Sequence, residues 1–294
     1  MTSETKKKSA LEQIINRAIE QNPQIKDILK SFEPIIVKQN YLMASAIFPK
    51  SNYSSIDKEK LKAGVPVCRQ INLFLPDDPF KEIVSSLGKA IKAGLPALDE
   101  DINRILDLIR KGKINLKDYC LPYPDCDSKL IDRWVEKVKV EREPLVFLIN
   151  ITARVILEAR AKEIMADIGP FDWEKGYCPI CGDFPSIALI EEEGGKRFLH
   201  CSTCGQDWRF TRVTCPYCEK ETRKDMEYFY VENKTQEAAF VCDKCKKYLV
   251  TLYRAGKLFE RDMDVSAMSL IHMDMLMQDK GYTPMTACVW NVLK

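Results

Sequence analysis

Only two histidines, His200 and His272, occur in the 294 residues of the sequence. Because catalytic zinc and iron sites are usually built on imidazole ligands, this scarcity argues against a histidine-based metal site. No stretch approaches the roughly 18 consecutive apolar residues of a membrane-spanning helix, so no membrane insertion is expected. The first ten residues are polar and include the lysine run Lys6 to Lys8. This pattern predicts no secretory signal.

Recognisable enzyme motifs are also missing. The sequence has no glycine-rich dinucleotide fingerprint, no P-loop and no nucleophile elbow. Lys and Arg together number 45 and Asp and Glu 43, which leaves a formal charge of +2 and no strong whole-chain field. Hydrophobic residues make up 46% of the chain, enough for a sizeable core. The length predicts about two domains.

The first 170 residues or so follow the apolar spacing of helices. The predicted helices are Ala10 to Gln21 with Ser9 as its cap, a second from Pro23, Phe80 to Ala93, Leu98 to Ile109, Lys129 to Val140 and Pro144 to Ile168. Pro34 is expected to kink or end the second helix, and Val65 to Leu75 is expected to be extended. The last helix is apolar nearly all round, which predicts a place in the middle of a helical domain.

Twelve cysteines are unexpected in a chain without an export signal, because in a reducing compartment cysteines usually bind metal or carry redox chemistry. Eight of them form four C-x-x-C pairs, which make two tandem repeats of the spacing found in zinc ribbons and rubredoxins. The pairs are Cys178/Cys181, Cys201/Cys204, Cys215/Cys218 and Cys242/Cys245. The other four, Cys68, Cys120, Cys126 and Cys288, are expected to be ordinary core residues.

Two predicted hairpins decide which pairs meet. Ile187 to Glu193 and Lys196 to His200 flank a Gly-Gly turn, while Met226 to Glu232 and Ala238 to Val241 flank a polar turn at Asn233 to Gln236. A hairpin returns the chain to its starting end. The geometry therefore favours pairing 178/181 with 201/204 and 215/218 with 242/245 over crossed pairing. Each group of four thiolates would then surround one tetrahedral ion.

The residue after each second cysteine differs between the repeats. Gly182 and Gly205 allow a positive φ, whereas a positive φ at Glu219 or Lys246 would cost about 1 kcal/mol of stability each. The second site is therefore expected to be looser. A tetrahedral set of four sulfurs suits zinc or a mononuclear iron, and the spacing does not separate these ions. His200 is adjacent to Cys201 and is expected mainly to occupy a strand.

Several of these stretches resemble the formate dehydrogenase accessory protein (FdhE) family. The resemblance covers residues 144 to 282. It includes Tyr177 to Gly182, Arg197 to Cys204 with Trp208, the second set of paired cysteines, Asp262 to Asp264 through Asp274 to Gly281-Tyr282, and the apolar helix with Pro144 and Glu158. The tail from Thr283 to Lys294 carries no such likeness.

The resemblance implies an accessory factor that is needed for active formate dehydrogenase. Such a factor acts in the cytoplasm on the molybdenum or tungsten catalytic subunit, late in its maturation. The family is thought to bind iron in rubredoxin-type sites, so the eight paired cysteines would be the ligands of two mononuclear ions, iron or zinc. The oligomeric state does not follow from the resemblance.

Other functions remain open. Zinc ribbons often bind nucleic acid, but Cys178 to Glu260 holds thirteen basic and thirteen acidic residues and so lacks the cation surplus for phosphate binding. A thiol oxidoreductase would normally use one C-x-x-C pair opening a helix. A rubredoxin-like one-electron carrier is a further alternative. Half of the ten methionines lie between Met263 and Met277, and Met273 and Met277 could contact a client enzyme, although core packing is the default.

Taken together, the sequence predicts an α+β protein. An α-helical N-terminal domain (1–170) is followed by two rubredoxin- or zinc-ribbon-like modules with four cysteines each (171–213 and 214–260) and a C-terminal helix with a tail (261–294). The closing helix is predicted from Asp264 to Lys280, with Gly281 as its C-cap.

Overall fold

A computed structural model describes residues 3–220, 226–232, 234–256, 258 and 261–291. The chain forms two compact units. The first comprises the described residues up to 12 together with 27–56 and 68–169. The second comprises 13–26, 57–67 and the described residues from 170 onward. The division into four sequence ranges remains a prediction. The second unit includes two segments, 13–26 and 57–67, that lie within the range predicted as the helical domain.

Helices fill the first half of the chain and close the second half. They are α1 Ser3–Gln21, α2 Lys26–Ser45, α3 Lys58–Lys62, α4 Phe80–Gly94, α5 Asp99–Arg110, α6 Leu116–Cys120, α7 Ser128–Val138, α8 Arg142–Ile168, α9 Met263–Ser269 and α10 Ile271–Asp279. Among the described helices, none is both long enough and apolar enough to cross a bilayer.

Helix α8 is the centre of the first unit. Its apolar circumference is buried from Leu145 to Ile164, as predicted, and α4, α5 and α7 pack against it. The amide of Gln39 on α2 donates to the carbonyl of Ile151 on α8 at 3.2 Å. Burial on several faces explains why the apolar pattern of this helix has no single stripe.

Three local predictions in the helical half were wrong. Helix α1 begins at Ser3, so Ser9 lies inside the helix. Pro34 does not end the second helix, because it lies within α2, which continues to Ser45; a kink at Pro34 stays a prediction. The stretch Val65 to Leu75 holds a short 3-10 turn at Val67–Arg69 and no strand. Local pattern overestimated the breaking effect of proline, because packing of the helix can offset one missing hydrogen bond.

The second unit contains one seven-stranded sheet. Its strands are β1 Ile187–Ile190, β2 Arg197–His200, β3 Asp207–Phe210, β4 Met226–Val231, β5 Lys234–Cys242, β6 Lys247–Tyr253 and β7 Thr283–Pro284. The order is β3-β2-β1-β6-β5-β4, with β7 also pairing with β6. Both predicted hairpins are present, as β1/β2 and β4/β5. Asn233, where the predicted turn of the second hairpin begins, lies outside the described residues, as do residues 292–294 of the tail.

A parallel pairing joins the two hairpins into this single sheet. Strand β1 runs parallel to β6, with Ile187 opposite Val250. One face of the sheet packs against α9 and α10 in a shared core that includes Leu189, Val241, Met273 and Met277. The predicted closing helix is thus two helices that meet at Leu270. Gly281 follows with a φ of +84°, which fits its predicted role as C-cap.

Candidate metal centres

Four tight turns carry the paired cysteines. In the first, the N–H of Gly182 donates to the carbonyl of Cys178 at 3.0 Å, and in the second that of Gly205 donates to Cys201 at 2.8 Å. The φ angles of these glycines are +81° and +69°. A left-handed residue at this point lets the chain fold back over the cysteine side chains, and glycine adopts it without steric cost.

The second repeat makes the same turns without glycine. The N–H of Glu219 donates to the carbonyl of Cys215 at 2.9 Å, and that of Lys246 donates to Cys242 at 2.8 Å. Their φ angles are +52° and +56°, as the sequence comparison with the first repeat anticipated. Each side chain with a Cβ costs about 1–2 kcal/mol in this region. The turn geometry is therefore imposed by the C-x-x-C spacing even where the following residue disfavours it.

The hairpins bring the eight thiols together in two groups. The first set is Cys178, Cys181, Cys201 and Cys204, and the second set is Cys215, Cys218, Cys242 and Cys245. Within each set all four sulfurs lie within 4.8 Å of one another. The predicted local pairing is confirmed.

The sulfur spacing fits one tetrahedral ion per set. Four sulfurs about 2.3 Å from a zinc ion at tetrahedral corners stand about 3.8 Å apart. In the second set, Cys215–Cys245 and Cys218–Cys242 are both 3.8 Å apart. In the first set, Cys178–Cys204 and Cys181–Cys201 are 3.5 and 3.4 Å apart. Each set could hold one metal ion, and its donors suit zinc or a mononuclear iron.

Because the first set is buried, its four thiols cannot all be deprotonated in the absence of a cation. Its four residues are at most 2% exposed. Burial raises the pKa of Cys178, Cys181 and Cys204 because it disfavours the thiolate. Burial opposes ionisation of Cys201 too, but hydrogen bonds from the other three thiols hold its pKa well below the usual range. Four thiolates at this point require a cation among them.

The second set is more open. Cys215 and Cys242 are buried, whereas Cys218 and Cys245 are partly exposed. Burial raises the pKa of Cys245 to about 11 and also raises that of Cys215. The pKa of Cys242 is lowered despite burial, because backbone N–H groups of Cys245 and Lys244 bond to its sulfur. Two of the four cysteines of this set are therefore partly open to solvent and reagents.

His200 anchors the strand that leads into the first set. Its Nδ1 lies 2.7 Å from a carboxylate oxygen of Asp207 on β3, and its Nε2 lies 3.4 Å from one of Asp264 on α9. Although burial opposes the charge, these two carboxylates raise the pKa of His200 well above its usual value. The residue occupies a strand as predicted, but sequence reasoning missed the two acids, because one is distant in sequence and the other fits an ordinary strand pattern.

The remaining cysteines are not in either set. Cys68, Cys120 and Cys288 are buried and Cys126 is partly buried. Burial raises the pKa of Cys120 to about 12, so its thiol stays protonated. Its environment is that of an ordinary core residue.

The methionines of the closing helices mostly fill the core. Met273 and Met277 are 0% exposed, so the idea that they contact a client enzyme is wrong. Met275 is 53% exposed. The helical spacing identified the right segment but not which of its faces packs on the sheet.

Comparisons with known proteins find similarity to FdhE proteins in both halves of the chain. A family model described as "FdhE, central domain" matches residues 177–212, which contain the whole first set. A protein named "Protein FdhE homolog" from Haemophilus ducreyi is 25% identical over 283 residues, covering 90% of this chain and 83% of that protein. The similarity therefore extends over the helical half as well as the cysteine repeats.

Another relative has a higher sequence identity over a shorter range. A "Protein FdhE homolog" from Aquifex aeolicus is 32% identical over 115 residues, which are 37% of this chain and about 40% of that protein's length. The crystal structure of the FdhE protein from Pseudomonas aeruginosa superimposes with a TM-score of 0.62 at 18% identity. That superposition covers 95% of this chain and 92% of the other, and it shows that the two share a fold.

Proposed function

Because the chain belongs to the FdhE family, we propose that it is an accessory factor needed to form active formate dehydrogenase. In this proposal it is not an enzyme, and it binds the catalytic subunit of the dehydrogenase in the cytoplasm. The observation that carries the proposal is the similarity to the Haemophilus ducreyi FdhE homologue across nine-tenths of this chain.

The eight paired cysteines are proposed as the ligands of two mononuclear metal ions. The donor sets and their spacing support this assignment. A bound zinc would act as a structural staple, whereas a bound iron would add one-electron chemistry. The protein itself supplies the turns that aim four sulfurs at one point and, at the first set, excludes water from them.

The accessory role is tested in cells that make formate dehydrogenase but lack this protein. Formate dehydrogenase activity should be lost and should return with the wild-type chain. Cys201→Ser should fail to restore it, while the matched control Cys126→Ser, at a cysteine outside both sets, should succeed. Affinity-tagged wild-type protein should retain the catalytic subunit. Undiminished activity in the cells lacking the protein would refute the proposal.

A one-electron carrier is the second candidate, because the same four-sulfur donor sets are those of rubredoxin iron. Metal analysis of protein purified without oxygen separates the two. Iron that bleaches reversibly on reduction supports the carrier. Two zinc ions per chain, or iron that does not cycle, supports a structural role in an accessory factor.

A further inference from the structure

The second unit contains a buried arginine without a matching negative charge. Arg197 on β2 is 1% exposed, and its guanidinium lies 4.7 Å above the ring of Phe240 on β5. Its Nη1 donates to the carbonyl of Thr214 at 3.3 Å. Its Nε and Nη2 have no hydrogen-bond partner, and no carboxylate of the described residues forms an ion pair with it.

Arg160 shows how the same chain satisfies a buried guanidinium elsewhere. It is also 1% exposed, but its Nη2 donates to the carboxylate of Asp78 at 2.8 Å. Its Nη1 and Nε reach the carbonyls of Pro49 and Leu73, at 2.9 and 3.3 Å. A buried charge is tolerated when it is paired and hydrogen-bonded, as here. Arg197 forms no such ion pair with a carboxylate of the described residues.

The second set of cysteines lies beside the residue that Arg197 contacts, and it becomes strongly negative when its thiols ionise around a metal ion. Thr214, which accepts the bond from Arg197, directly precedes Cys215. The hydroxyls of Thr214 and Tyr228 are buried and unpartnered, but they are neutral. Four thiolates around a divalent ion carry a net charge of −2. Burial lowers the pKa of Arg197, and the closeness of Tyr228 and Cys215 opposes that shift.

We propose that Arg197 is the buried countercharge of the second set when that set holds a metal ion. The inference rests on the proposed metal centres and goes beyond them. Because Arg197 lies on the strand that leads to Cys201 of the first set, folding of the first hairpin would place a cation beside the second set. Arg197 is a positioning residue in this proposal, since it acts through the charge of the cysteine set.

The first test measures zinc affinity in purified full-length protein. Arg197→Met removes the charge and keeps length and apolar contact with Phe240, Arg197→Lys keeps the charge, and Arg212→Met alters an exposed arginine nearby. Chelator competition, with alkylation and mass spectrometry to identify the released cysteines, follows each set. Arg197→Met should weaken zinc binding at the second set by about tenfold or more, as expected for a nearby charge in a partly dry site. The first set should be unchanged, and Arg197→Lys and Arg212→Met should resemble the wild type.

The second test uses stability, because Arg197→Met is expected to have opposite effects on stability in zinc-free and in zinc-loaded protein. In zinc-free protein the buried charge has nothing to balance it, so Arg197→Met should unfold at the same or higher urea concentration than the wild type. In zinc-loaded protein the order should reverse. This readout differs from that of a residue that only packs, whose loss would destabilise both forms alike.

Several results would overturn the proposal. They are equal zinc affinity in Arg197→Met and wild type, equal weakening of both sets, a defect in Arg197→Lys as large as in Arg197→Met, or a variant that cannot fold with or without zinc. A thermal shift of the wild type with inorganic phosphate that needs Arg197 would assign the residue to an external anion instead. Failure of wild-type protein to bind zinc at the second set would overturn this inference and the metal assignment, while leaving the accessory role to the cell experiment.

Discussion

The two sets of cysteines share one sequence pattern and one turn geometry, but differ in their protection. All four sulfurs of the first set are buried and its turns end in glycine, whereas the second set partly exposes two cysteines and ends its turns with Glu219 and Lys246 at positive φ. The pattern therefore determines where the sulfurs are placed. Neighbouring residues determine how much strain the turns hold and whether solvent reaches the sulfurs.

The largest difference is expected on removing one sulfur from each set. Cys201→Ser should lose one metal ion and lower the free energy of unfolding by more than about 4 kcal/mol, because it leaves three buried thiols without their cation. Cys242→Ser should lose one ion but cost about 2 kcal/mol, since water can solvate what remains. Metal content and urea unfolding followed by tryptophan fluorescence measure both, with Cys126→Ser as control. Equal losses would show that burial does not set the contribution of each set.

A pH effect is expected beside the second set. Tyr248 on β6, three residues after Cys245, donates to Asp274 at 2.8 Å, and burial raises the pKa of Asp274 to about 7. Folded protein therefore holds a proton between about pH 4 and 7 that unfolded protein releases, so this group's contribution to stability falls as pH rises through that range. Between pH 5.5 and 8, Asp274 should therefore lower the free energy of unfolding by about 2 kcal/mol.

Asp274→Asn should remove this slope and raise stability at pH 8, measured by urea unfolding of metal-loaded protein. The matched control is Asp279→Asn, an exposed acid on the same helix, which should leave the slope unchanged. A slope that persists in Asp274→Asn would assign the pH dependence to another group.

Chelation should separate the two sets in time. When a chelator and iodoacetamide are added together, Cys218 and Cys245 should be alkylated about tenfold faster than Cys178 and Cys181, because thiol reactivity follows exposure. Mass spectrometry of the labelled peptides gives both rates. Simultaneous labelling would mean that the loss of one ion opens both sets.

Local features of the sequence were enough to predict the paired cysteines, the two hairpins and the buried helix α8. Each depends on residues close in the chain: the C-x-x-C spacing, Gly194-Gly195, and an apolar run from Pro144 to Ile168. A hairpin constrains its own cysteines strongly, so the grouping into two sets could be inferred before any coordinates were known.

Long-range pairing could not be predicted in this way. The parallel contact of β1 with β6 joins residues about sixty apart, and no local periodicity specifies it. Likewise, the spacing of Met273 and Met277 is compatible with a buried or an exposed face of the helix. The two residues are buried because that face packs against the sheet. The charge of Arg197 gave no signal at all, since the strand pattern treats any polar residue as outward-facing.

The smallest expected effect concerns the turns themselves. Lys246→Gly should stabilise the metal-loaded protein by about 1 kcal/mol, because glycine adopts the φ of +56° without a Cβ clash. Gly205→Ala, at a φ of +69°, should destabilise it by a similar amount. Lys246→Gly also removes an exposed ion pair with Asp243 at 2.7 Å and a contact with the Tyr282 ring, which contribute little at the surface. Lys246 is still the better choice than Glu219, since Glu219 accepts a bond from the partly buried N–H of Gly176 as well as one from Lys175. Urea unfolding of both variants measures the turn strain. If Lys246→Gly is neutral while Gly205→Ala is costly, strain at the turn does not explain why the second set is more open, and its two partly exposed cysteines alone would account for the difference.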